Sequence, residues 1–144
     1  MTTLDRPEPK IAEQQYPILA ARRQNYDAML WQTPVISLTA QSFLFLIALG
    51  TGDPYGRLIA ALLALITALA SAQLLAKHRY LEIYYAELLK GYERAKEWAL
   101  IHDRPPKAAG AIGWSSYHVW LWVFFAFGLA SLITIILILC HANR

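Results

Sequence analysis

Few residues in this sequence are of types that do chemistry, and their spacing decides what they could do. Four histidines, His78, His102, His118 and His141, are the natural candidates for metal or proton work. No two of them stand at i, i+4 beside a cysteine or a further acid, the arrangement that sets imidazoles on one helix face around a metal. No metal site is therefore expected. Cys140 is the single thiol and has no internal partner for a disulfide. Paired carboxylates, a nucleophile with its base and a glycine-rich phosphate loop are all missing from the chain. The expectation is a protein that is not an enzyme and holds no cofactor.

Polar residues of another kind stand out. Thr33, Ser37 and Gln41 recur every four residues in an otherwise apolar stretch around Pro34, with Ser42 beside them. An amide in hydrocarbon is costly unless it finds a partner or water. One reading makes Thr33, Ser37 and Gln41 pore-lining, with copies of this stretch surrounding a narrow polar pathway. The other has Gln41 and Ser37 bonded to a neighbouring helix, with Pro34 only tilting the entry. Further along, Ala60, Ala64, Ala68 and Ala72 also recur every four residues, a small-residue stripe that lets helices approach closely. The helix packed on that stripe could belong to the same chain or to another copy.

The elements that must carry these residues follow from hydropathy. Apolar residues make up 57% of the 144 and charged residues only 16%, and the apolar ones gather into three blocks instead of spreading with a period of 2 or 3.6. The expected fold is all-α: an integral membrane protein with three transmembrane helices, at 30–49, 58–76 and 117–140. Each is about 20 residues long, enough to cross about 30 Å of hydrocarbon at 1.5 Å per residue. Residues 1–29 read as a cytoplasmic tail followed by a short helix lying on the membrane surface, with Arg22, Arg23 and Asp27 among Ile18, Leu19 and Tyr26. Gly50 to Gly56 is dense in turn residues and predicts a tight hairpin between the first two spans.

Nothing in the sequence stops the second helix at the membrane surface. Residues 77–104 turn amphipathic, so this helix is expected to run to about Leu100 and stand half outside the bilayer, with Pro105 and Pro106 ending it. Tyr84, Leu88, Tyr92 and Trp98 fall near helical spacing along it and form a candidate docking or assembly seam. Simple packing against the N-terminal helix accounts for them equally well. The basic residues set the orientation: four precede the first span, one lies in the first loop, seven fall between Lys77 and Lys107, and one ends the chain. By the positive-inside rule, the N-terminus and the segment 77–104 lie in the cytoplasm and the C-terminus lies outside. The net charge of +3 includes no Lys/Arg-rich run, so no nucleic acid polymer is expected as a partner.

The layout resembles the SLATT group of small bacterial membrane proteins. The likeness rests on the helix Ala20-Ala21-Arg22-Arg23-Gln24-Asn25-Tyr26-Asp27 running into a first span, a short loop, an Ala/Leu-rich second span and a long charged helix beginning Lys77-His78-Arg79-Tyr80. It covers about residues 16–100, and the third span departs from the minimal two-span pattern. The resemblance implies a homo-oligomeric pore-forming effector of antiphage defence that sits in the cell inner membrane and permeabilises it on a signal. A signalling nucleotide or protein partner would then engage the cytoplasmic helix. The alternative from the residues is a non-conducting accessory or anchoring subunit of a larger membrane complex. A membrane enzyme acting on lipids has little support.

Overall fold

The computed structural model describes residues 13–103 and 115–142, and within them the chain is all-helical. A short 3-10 turn, Glu13–Gln15, leads into α1, Tyr16–Ala48; α2 follows at Pro54–Ala95 and α3 at Ser116–Ala142. All three helices are long and apolar enough to span a membrane. The expected tail over residues 1–12, the stop at Pro105 and Pro106, and the chain end at Arg144 lie outside the described residues.

The turn between α1 and α2 is built by its own residues. Asp53 caps α2, its carboxylate accepting the Gly56 N–H at 3.0 Å, and Pro54 opens the helix where a missing N–H costs nothing. Arg57 reaches back and donates from Nε to the Ala48 carbonyl at 3.1 Å, which places a cation on the exposed carbonyl end of α1. A Cβ at Gly50 would lie 3.2 Å from the Leu46 carbonyl oxygen, which explains a glycine where α1 closes.

α2 is the central helix. α1 and α3 both pack on it and meet each other much less, with the Phe45 and Phe127 rings 5.6 Å apart. At the loop end, Ala48, Ala60, Ala61 and Ile135 form a buried cluster flanked by Leu58 and Leu65. Apart from Leu75, Leu89 and Phe124, which are fully buried, many large side chains face outward and small ones inward: Val35, Ile36, Leu46, Ile66 and Leu137 are exposed, while Ala64, Ala68, Ser71 and Ser131 are buried. A helical bundle solvated by lipid has this distribution, because lipid chains are as apolar as leucine and only close packing favours the interior.

Two helix boundaries differ from the sequence expectation. The surface-lying helix expected before the first span is continuous with it, so α1 has 33 residues and its first half runs antiparallel along the extension of α2. At 1.5 Å per residue, α1 is about 50 Å long and α2 about 63 Å, both well beyond a hydrocarbon core of about 30 Å. Pro34 is fully buried inside α1 and does not end it. The second difference is at the far end of α2, which stops at Ala95 and not near Leu100. Glu97 takes a left-handed conformation, φ 57°. Its N–H bonds to the Arg94 carbonyl at 3.1 Å, and the Trp98 N–H bonds to the Glu93 carbonyl at 2.9 Å. That pair of bonds is a Schellman motif, made here without the usual glycine. Trp98 then folds back on Tyr92, ring centroids 5.7 Å apart, supplying the apolar contact that accompanies such ends.

Candidate functional site

The interface between α1 and α2 holds most of the polar chemistry. On α2 the buried positions Ala64, Ala68, Ser71, Leu75, His78, Glu82, Ala86, Leu89 and Glu93 recur at intervals of three or four, with Ala60, Ala61 and Tyr92 also buried at its two ends. On α1 the buried positions Thr33, Ser37 and Gln41 fall in the same rhythm. The spacing is that of a coiled-coil seam, extended here from the membrane layer to the far end of the hairpin.

Polar pairs cross this seam at intervals. Gln41 donates from Nε2 to the Ala64 carbonyl at 2.9 Å, a contact possible because Ala64 has no side chain beyond Cβ. Gln41 is 0% exposed, and its Oε1 has no hydrogen-bond partner. The Ser37 and Ser71 hydroxyls share a hydrogen bond of 2.7 Å, and the Thr33 hydroxyl lies 3.5 Å from His78 Nδ1. Glu82, also buried, accepts from Arg79 Nη1 at 2.7 Å and lies 3.5 Å from Arg23 Nη2. Tyr26 stacks on Tyr85 at 5.6 Å with the rings nearly parallel.

The far end is closed by a cluster the sequence did not announce. Glu93 is 0% exposed. Its Oε1 accepts the Tyr16 hydroxyl at 2.7 Å and lies 2.5 Å from His102 Nδ1, while the His102 backbone N–H reaches Oε2 at 3.3 Å. Tyr92 and Trp98 enclose Tyr16, centroids 5.3 and 5.7 Å away. Three separate segments thus meet on one carboxylate: the start of α1, the end of α2 and the chain beyond it. Lys90 and Asp103 pair nearby. Burial opposes ionisation of Glu93, but the hydrogen bonds from Tyr16 and His102 and the His102 charge outweigh it and hold the carboxyl below its ordinary range. Burial and the adjacent Glu93 push the Tyr16 hydroxyl the other way, from 10.0 to about 12. With no solvent at the carboxylate, the chemistry available to this cluster is that of a clamp.

The residues singled out from sequence divide accordingly. Thr33, Ser37 and Gln41 face α2 of their own chain. Ala60, Ala64 and Ala68 are buried and Ala72 half-buried, with Gly128 of α3 against Ala68, where a Cβ would sit 3.9 Å away. Of the docking seam, Tyr92 and Trp98 join the far-end cluster, Leu88 is half-buried and Tyr84 is 48% exposed, touching Tyr85 edge-on at 5.4 Å. No group of His, Cys, Asp and Glu among the described residues could hold a metal ion. Glu82 and Glu93 sit at seam positions, and that register was the one signal in the sequence able to mark them as buried. Their partners on α1, Arg23 and Tyr16, 59 and 77 residues away, left no local trace. No family model matches the chain, and no curated protein or solved structure is similar enough to match it.

Proposed function

We propose that this chain is a non-conducting accessory or anchoring subunit of a larger membrane complex, fixed in the bilayer by three spans and presenting the α1–α2 hairpin to a cytoplasmic protein partner. The single observation that carries this reading is the direction of Thr33, Ser37 and Gln41. All three are turned into the seam with α2 and spend their hydrogen bonds on it. For copies of α1 to line a shared pathway with these groups, the Ser37–Ser71 and Gln41–Ala64 bonds would have to break in every subunit. The hairpin meanwhile carries large side chains outside its own packing: Tyr80 is 68% exposed and Tyr84 48%. Exposed aromatics on a rigid helix are typical anchors for a protein interface.

The pore-forming effector implied by the SLATT likeness is the competing proposal, and ion flux separates the two. Purified protein reconstituted in liposomes should leave a preset potassium gradient intact, and native-membrane pull-downs should return a stoichiometric second protein. Rapid dissipation of the gradient by a homo-oligomer of defined mass would reject the anchoring reading.

A further inference from the structure

One cavity is bordered by all three helices beside the seam, at the level of Trp31 and the start of α3, where the sequence places the edge of the first and third spans. It holds about 190 Å³ and is lined by Asp27 and Trp31 of α1, Arg79 of α2, and Ser115, Ser116 and Trp120 at the start of α3. Its lining mixes charged, hydroxyl and aromatic groups, and Asp27 also borders the open pocket beside Tyr16, Arg23 and His102. The groove between α2 and α3 near Phe124 is almost wholly apolar, while this one sets a cation, an anion and two hydroxyls beside two indoles.

Each part has a role that fits one class of ligand. Arg79 gives Nη1 to Glu82, and a guanidinium carries five N–H donors, so it keeps a fork for a phosphate oxygen. Ser115 and Ser116 add hydroxyls to the lining. Asp27 has no hydrogen bond or ion pair among the described residues, so its carboxylate is available to a cation. Trp31 and Trp120 belong to the aromatic belt at the edge of the hydrocarbon, and an indole face also attracts an ammonium. Drug-sized and nucleotide ligands occupy sites of about 300 Å³ and more, so this cavity suits a smaller polar group. Pockets between spans near the membrane surface are places where lipid headgroups bind.

From this lining we infer that the cavity binds the headgroup of a zwitterionic phospholipid of the phosphoethanolamine type, its phosphodiester on Arg79 with Ser115 and Ser116, its primary ammonium on Asp27. The acyl chains leave along the exposed apolar flanks of the spans. The free headgroup shares this chemistry, but the position between tryptophans of the belt assigns the site to a membrane lipid.

Native mass spectrometry of the full-length protein in mild detergent tests the assignment, with phosphatidylethanolamine, phosphatidylglycerol and phosphatidylcholine of one acyl composition added in turn. One equivalent of phosphatidylethanolamine should be retained, about tenfold more strongly than phosphatidylglycerol, the scale of one charge-assisted hydrogen bond. Arg79→Gln should lower that retention about tenfold, and Asp27→Asn should erase the preference over phosphatidylglycerol. Arg79 also supports Glu82, so Asp27→Asn, which touches no internal bond, decides the matter if Arg79→Gln fails to fold. Equal retention of all three lipids, unchanged by Asp27→Asn, would overturn the inference. Displacement of the lipid by an equal concentration of soluble glycerophosphoethanolamine would overturn its assignment to a lipid.

Discussion

Glu93 shows how much a single residue can organise in this chain. A carboxylate shut away from water is tolerated only when its lone pairs are occupied, and here Tyr16 and both donors of His102 occupy them. Glu93→Gln should therefore weaken the far end of the hairpin by about 1.5–3 kcal/mol, the range for hydrogen bonds to a charged group, measured by chemical unfolding in detergent. The clamp also has a pH window. A carboxyl lowered from its ordinary 4.5 contributes stability above that value and loses it as pH falls through the lower folded value. A raised Tyr16 contributes fully below pH 10 and loses its contribution as pH rises from 10 towards 12. The part of the tryptophan emission that disappears in Trp98→Phe should change in these two windows. No change in either window would mean that Glu93 and Tyr16 do not hold the clamp. Gln41 is the contrasting case, since one half of its amide is bonded and the other is not. Gln41→Leu gives up one bond but removes a buried orphan acceptor, so the stability of the α1–α2 pair should move by no more than about 1 kcal/mol in either direction.

At the scale of elements, the end of α2 depends on a glutamate doing what glycine does more cheaply. A side chain in the left-handed region costs about 1 kcal/mol, so Glu97→Gly should raise the thermal midpoint, with a gain of about 0.5–1 kcal/mol. A loss would mean that the Glu97 side chain makes a contact worth more than the strain. The same motif explains what was legible in the sequence and what was not. The tight turn at Gly50–Gly56, the length of α2 beyond the apolar block and the start of α3 could be read because turn residues and hydropathy mark them locally. The stop at Ala95 could not, because the glycine that normally announces it is absent. The course of residues 16–29 along α2, and not across the membrane surface, was hidden too. Arg22, Arg23 and Asp27 interrupt the apolar pattern there as they would on a surface helix, and only Glu82, across the seam, shows that Arg23 has a partner inside the hairpin.

For the whole molecule, the three helices divide the work. α1 and α2 form one continuous seam from the loop to the Glu93 clamp, and α3 packs on the second side of α2 through Gly128 and Phe124. Topology has a convenient reporter in Cys140, exposed near the end of α3. If basic residues set the orientation, a membrane-impermeant maleimide should label Cys140 from outside intact cells; labelling only after the membrane is opened would reverse the topology.

The polar face of α1 is turned into the seam with α2 and away from any water-filled path. Cysteine placement at Ser37 and Ser71, in a Cys140→Ser background, examines that orientation most directly, since the native hydroxyls are 2.7 Å apart. In native membranes the Ser37→Cys, Ser71→Cys pair should oxidise to an intramolecular disulfide, and Ser37→Cys alone should resist hydrophilic thiol reagents from both sides. Rapid modification of Ser37→Cys by those reagents, with cross-links forming between copies, would contradict that orientation and put α1 around a shared pore.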